Sequence, residues 1–224
     1  ASGAASMAPA PYVRFDPWQR MLNRYLRDGL YRLLAPIANG LIRLGVSPDV
    51  VTVVGTLGVC FGALAFYPRH EFFWGTVVIT LFVFADNVDG LMARKLGRSG
   101  PWGAFLDSVL DRLGDAAVFG GLVLWYAGDG DDLLMTSLAL ACLVFGAVTS
   151  YAKARAESVG MTADVGIAER ADRLTAVLVA TGFVGLGLPE VFLTVVLALL
   201  VVASAWTVVQ RILEVRRQAH SGAS

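Results

Sequence analysis

Five aspartates, Asp86, Asp89, Asp107, Asp111 and Asp115, interrupt runs that are otherwise apolar. Asp86 and Asp89 are spaced i, i+3, and Asp107 and Asp111 are spaced i, i+4. Each pair therefore shares one face of a helix. The turn between the pairs holds Gly97, Gly100, Pro101 and Gly103. A short turn makes the flanking helices antiparallel neighbours, which brings the pairs together. Four converged carboxylates repel one another unless a multivalent cation sits among them. An all-oxygen set suits Mg²⁺, Mn²⁺ or Ca²⁺ and not Zn²⁺. Four acids are enough to share two ions, the device that clamps a phosphoryl group during in-line displacement. Gly90 and Ala93 leave room for a phosphate to approach the backbone, and Gly103 permits close helix contact. The plainer alternative is a set of helix-end acids that cap or pair with Arg94 and Arg112. Four acids at these spacings favour the metal site. Asp115 lies beyond the pattern and reads as structural.

The elements that must position these acids follow from composition. Of 224 residues, 56% are hydrophobic and 16% charged, against about 25% charged in a soluble domain. That excludes a disordered, collagen-like or disulfide-scaffold chain and implies an all-α polytopic membrane protein. The formal net charge is zero and gives no support for nucleic-acid binding. Cys60 and Cys142 lie inside apolar runs and imply no disulfide framework. A bilayer core of about 30 Å needs about 20 helical residues. Six spans fit, at roughly 50–68, 72–95, 103–127, 132–156, 173–188 and 190–212, the first opened by Ser47-Pro48-Asp49. With six spans, sixteen of the 18 basic residues fall on one side; Arg69 lies on the other and Arg112 within a span. The basic side is cytoplasmic by the positive-inside rule, and an odd count would split the set. The opposite side offers only the turns 69–71, 128–132 and 187–190, which leaves no room for a large external domain.

Residues 1–16, rich in Ala, Ser and Pro, read as a tag or flexible N-terminus. Residues 17–46 carry Leu22, Leu26, Leu30, Leu33, Leu34, Ile37 and Leu41 at helical spacing, with arginines mostly off that stripe. This is the pattern of an amphipathic helix lying in the membrane interface, which Pro36 is expected to kink or break. Residues 47–217 would form the six-helix domain and 218–224 a flexible C-terminus.

The stretch from Asp86 to Asp111 reads D-x2-D-G-x2-A-R-x8-G-x3-D-x3-D, with eight fixed residues over 26 positions. It resembles the full signature of the CDP-alcohol phosphotransferase family, with no departure at any fixed position. The resemblance implies a six-helix membrane enzyme, usually a homodimer, that transfers a phosphatidyl-type group from a CDP-linked lipid to an alcohol and releases CMP. It implies two divalent cations, Mg²⁺ or Mn²⁺, held by Asp86, Asp89, Asp107 and Asp111. Asp86 and Asp107 would bridge both ions, and Asp111 would also be the general base. It further implies that Asp49, Val50, Val51, Thr52, Gly90, Arg94 and Gly100 surround the CDP-lipid. Gly100 stands where the family often has a small hydroxylated residue, so only a backbone contact carries over there.

A second resemblance, over about residues 21–217, is to the actinobacterial phosphatidylinositol phosphate synthases within that family. It rests on Ser150-Tyr151-Ala152-Lys153-Ala154-Arg155, on Glu169 to Arg173, on Gly45 to Thr52 and on Gln210-Arg211. It implies CDP-diacylglycerol and 1D-myo-inositol 3-phosphate as substrates, at a multi-pass plasma-membrane enzyme with both termini and the active site cytoplasmic. An acceptor phosphate needs a basic pocket, and Ser150, Lys153, Arg155, Arg173 and Arg211 are available for it. Lys153 and Arg155 diverge on a helix, so Lys153, Arg173 and Arg211 with Ser150 come first and Arg155 after them. Glu169 and Arg170 read as loop-ordering. The rival readings are the same chemistry on glycerol 3-phosphate or free inositol, and a small cation transporter that uses the acids as an ion path.

Overall fold

The computed structural model describes residues 34–97 and 100–221, and for 85–87 the backbone alone. The expected tag and most of the expected interfacial helix lie outside the described residues. Residues 34–43 form a helix, α1, that runs through Pro36. Six longer helices follow: α2 (Pro48–Phe66), α3 (Phe72–Lys95), α4 (Pro101–Ala127), α5 (Leu133–Ser158), α6 (Arg170–Gly185) and α7 (Val191–Ser221). A single 3-10 turn, Tyr67–Arg69, joins α2 to α3. No strand occurs among the described residues.

Local chemistry sets these starts. Ser47 caps α2 by accepting from the Val50 amide at 3.3 Å, with Pro48 in the first turn. Gly100 and Pro101 open α4 in the same manner without a side-chain cap. Asp132 caps α5 through the Met135 amide at 2.9 Å. Glu169 and Asp172 form a reciprocal capping box that fixes the first turn of α6.

The helices pack α2 against α3 and α4, α5 against α4 and α7, and α6 against α3 and α7. The main core joins Val59, Tyr67, Phe72, Val118, Leu122 and Met135 with Val177 and Leu197. A smaller cluster seats α1 on α3 through Leu34, Ala38, Val88, Leu91 and Met92. α4 approaches α2 at Gly121, where a Cβ would lie 2.8 Å from the Ala63 carbonyl oxygen. Large apolar side chains also cover the outside of the bundle: Val202 of α7 is 67% exposed and Leu81 of α3 66%. Such a surface belongs in lipid.

Among the described residues, four helices are long and apolar enough to cross a membrane: α2 with its 3-10 turn, α3, α5 and α7. The remaining two expected spans fall short of that standard for identifiable reasons. α4 has 27 residues but carries Asp107, Asp111, Arg112 and Asp115. α6 has 16 residues, about 24 Å of helix against a core of about 30 Å. α7 runs to Ser221, and Gln218 is tied to Thr162 by donating to its carbonyl at 2.8 Å and accepting from its amide at 3.0 Å.

Candidate active site

One end of the bundle gathers the polar chemistry. The start of α2, the end of α3 and the start of α4 enclose a cavity of about 610 Å³. Asp49, Thr52, Asp89, Gly90, Arg94, Gly100 and Asp107 all line it. Seven residues from three separate stretches of sequence thus meet at one place. Val50 is 52% exposed, and Val51 packs beside the cluster that seats α1; neither lines the cavity. Asp86 lies on α3, with its side chain outside the described residues.

Asp89 is 8% exposed. Its carboxylate accepts from the Thr52 hydroxyl and from the Gly90 amide. Both partners are neutral, and no basic side chain pairs with it among the described residues. A buried carboxylate without a counter-ion is costly. Asp107 lines the same cavity one helix away. The donor set is all oxygen, as a hard dication requires, so the residues fit such an ion. Among the described residues no group of three or more acidic, His or Cys side chains stands ready for a metal, and Asp86 is not part of that count.

Asp111 sits differently. It lines a smaller cavity of about 40 Å³ together with Thr56, Phe82 and Arg170. Its Oδ1 lies 2.9 Å from Arg170 Nη1, and its Oδ2 lies 3.7 Å from Arg112 Nη2. Asp115, read as structural, shares Arg170 at 3.1 Å.

Arg94 crosses over Gly90: a Cβ on Gly90 would lie 3.8 Å from Arg94 Nη2. Trp102, which carries no motif signal, also lines the cavity. Its indole N–H donates to Asp49 Oδ2 at 3.0 Å and closes the cavity wall. The exposed pair Trp102–Phe105 at the head of α4 is the signal that could have found it.

The basic candidates surround the loop 159–169. Lys153 Nζ meets Asp164 Oδ1 at 2.5 Å. Those two side chains are exposed enough for solvent screening, yet the hydrogen bond and charge of Lys153 hold the Asp164 carboxyl below its ordinary range. Arg173 is 2% exposed and donates to the carbonyls of Ala168, at 2.9 Å, and Gly146, at 3.4 Å. Arg211 donates to Val165 O at 3.0 Å and Thr149 O at 2.6 Å. Thr207, also missed, accepts from the Ile167 and Ala168 amides at 3.2 and 3.3 Å. Thr207, Arg211 and Gln218 form one polar stripe on α7 at helical spacing, which the sequence carries openly. Arg155 does not join them; it is exposed and donates to Ser158 of its own helix at 3.0 Å. Ser150 lies on α5 one turn before Lys153, partly buried.

An all-helical bundle with lipid-facing sides, carrying acids and arginines at one end, defines an integral membrane protein equipped to handle a phosphorylated substrate. The chain belongs to the CDP-alcohol phosphatidyltransferase family, whose model matches residues 45–209. It is 56% identical over 204 residues to the phosphatidylinositol phosphate synthase of Streptomyces avermitilis, covering 88% of this chain and 84% of that one. The Cutibacterium acnes synthase is 48% identical over 88% of this chain and 99% of its own. Among solved structures, the Mycobacterium tuberculosis phosphatidylinositol phosphate synthase with CDP-DAG bound matches with a TM-score of 0.79 at 43% identity, covering 82% of this chain and 94% of that one. The same enzyme in complex with manganese and citrate matches with a TM-score of 0.77 over 81% and 88% of the two chains.

Proposed function

We propose that this chain transfers the phosphatidyl group of CDP-diacylglycerol to 1D-myo-inositol 3-phosphate, giving phosphatidylinositol phosphate and CMP. The observation that carries the chemistry is the buried Asp89, which has only neutral partners in a cavity it shares with Asp107, Gly90 and Arg94. The phosphatidylinositol phosphate synthases among its relatives support the choice of acceptor.

Asp86, Asp89, Asp107 and Asp111 would hold two divalent ions, Mg²⁺ or Mn²⁺, and the manganese complex of the M. tuberculosis enzyme supports that choice of metal. Bound ions supply charge neutralisation on the diphosphate and lower the pKa of an oxygen they touch. The chain's residues do the rest. Arg94, beside Gly90, is suited to a diphosphate oxygen. Asp49 to Thr52 and the backbone at Gly100 wall the CDP site. The acceptor hydroxyl oxygen attacks the phosphorus that bears diacylglycerol, and Asp111 takes its proton. The bond from that phosphorus to the bridging oxygen breaks, and CMP leaves with the electron pair. Lys153, Arg173 and Arg211, with Ser150, would hold the acceptor phosphate, and Arg155 would serve at the rim. The two buried arginines use part of their five N–H donors on carbonyls, which fixes their planes.

The six-span membrane topology, the interfacial helix at 17–46, the cytoplasmic placement of the site and both termini, and a homodimer in the plasma membrane belong to the same proposal. The segregation of the basic residues supports the orientation. The test is CMP release by purified protein in detergent with CDP-diacylglycerol, inositol phosphate and Mg²⁺. Chelation and Asp111→Asn should each abolish release while the protein stays folded. Near-normal turnover by Asp111→Asn would refute its assignment as base.

A further inference from the structure

The pairing of Asp111 is not explained by metal binding or by lipid binding. Arg170 opens α6, and Asp115 lies one turn beyond Asp111 on α4. Arg170 Nε donates to both oxygens of Asp115, at 3.1 and 3.3 Å. Its Nη1 meets Asp111 Oδ1 at 2.9 Å, and its Nη2 donates to the Asp111 backbone carbonyl at 3.4 Å. The Glu169–Asp172 capping box anchors the backbone on which Arg170 stands. A guanidinium is a rigid planar fork. Once Asp115 holds Nε, the direction of Nη1 is set, and so is the Asp111 oxygen it meets.

Replacing such a charged cluster with apolar side chains costs a fold little or nothing. Stability therefore gives no reason for two acids and an arginine inside a membrane bundle. The cavity of about 40 Å³ beside Asp111 and Arg170 adds a second reason for a clamp. Asp111 lines it, so side-chain packing does not close over the carboxylate on that side.

We propose that Arg170, anchored on Asp115, is a positioning residue that holds the Asp111 carboxylate in the orientation from which it takes the acceptor proton. This rests on the reading of Asp111 as the general base. Asp115 acts only through Arg170.

The test compares Arg170→Ala, Asp115→Ala and the double variant in the full-length protein. The readouts are kcat, the KM for CDP-diacylglycerol, Mn²⁺ affinity by electron paramagnetic resonance, and the melting temperature. Arg170→Ala should lower kcat by about tenfold or more, since small misplacements of a reacting group cost that much. Its lipid KM and Mn²⁺ affinity should stay within about threefold, because the clamp acts on the chemical step. The double variant should be no slower than Arg170→Ala alone, the signature of one residue acting through another. Arg170→Lys, which keeps the charge and loses the fork, should remain well below wild type. A kcat for Arg170→Ala within about twofold of wild type would overturn the proposal. Additive losses in the double variant would do the same. So would a Mn²⁺ affinity lost as fully as in Asp111→Asn, since Arg170 would then prop the whole acid site. If Arg170→Ala does not purify folded, Arg170→Lys and Asp115→Asn are judged by the same criteria. An active Asp111→Asn fails the base reading; an inactive Asp111→Asn beside an active Arg170→Ala fails the clamp alone.

Discussion

Thr52 and Asp89 come from different helices, 37 residues apart, and meet inside the bundle. Thr52 donates a neutral hydrogen bond and orients the carboxylate without neutralising it, which leaves the charge for a cation. Thr52→Val should therefore weaken Mg²⁺ or Mn²⁺ affinity by about 10–100-fold while the protein remains folded. A titration of activity against metal concentration reads this directly, and an unchanged midpoint would count against Asp89 as a ligand. Lys153 is held by Asp164. Asp164→Asn should release it and lower the acceptor KM by a few fold, with the lipid KM unchanged. The pH sign is definite. Lys153 depresses the Asp164 pKa below 3.8, so the tie contributes fully above that value and is lost as pH falls through the lowered one. Protection of the amides in the loop 159–169, after correction for the intrinsic pH dependence of exchange, should be flat from neutrality to about pH 5 and fall only in stronger acid. The aspartate signature was legible because its spacings are local, i, i+3 and i, i+4. The Arg170–Asp115 and Thr52–Asp89 pairs were not, because no spacing rule links residues 55 or 37 positions apart.

The loop 159–169 has no regular structure of its own, yet three residues of α7 and one of α6 hold its backbone. Arg173 and Arg211 take the carbonyls of Ala168 and Val165, Thr207 takes two amides, and Gln218 takes Thr162. Gly166 permits this docking: its φ is +140°, and a Cβ there would collide with the Thr207 side chain. Gly166→Ala should loosen the loop at a cost of about 1–3 kcal/mol of local strain and raise the acceptor KM more than the lipid KM. Equal effects on both would separate this loop from the acceptor pocket. The helices themselves were largely visible in the sequence, since their ends follow Ser47-Pro48, Gly100-Pro101 and Glu169, whose capping chemistry is local. The last turn of α7 looks like a polar tail in the sequence, and its contact is not local: Gln218 reaches a loop 56 residues earlier.

The whole molecule separates its charges by end. The acids line a cavity where α2 and α4 begin, and the bases surround the loop 159–169. The opposite end is pinned by His70, which stacks on Trp125 with ring centroids 4.4 Å apart and lies 3.4 Å from Glu190. A net charge of zero conceals this polarity. Single cysteines placed at Arg69 and at Ala219 in a background without Cys60 and Cys142 should label from opposite faces of sealed vesicles. Labelling of both from the same face would break the six-span topology. α4 carries four charged residues, Asp107, Asp111, Arg112 and Asp115, and α6 has only 16 residues, so neither reads as a simple apolar span. The central claim is the identity of the acceptor, and product analysis with an acceptor panel tests it most directly. Purified protein with CDP-diacylglycerol and Mg²⁺ should release CMP with inositol phosphate and form phosphatidylinositol phosphate in equal amount, with little release on glycerol 3-phosphate or free inositol. Preferred turnover of either of those two alcohols, or no CMP with any acceptor, would contradict the account.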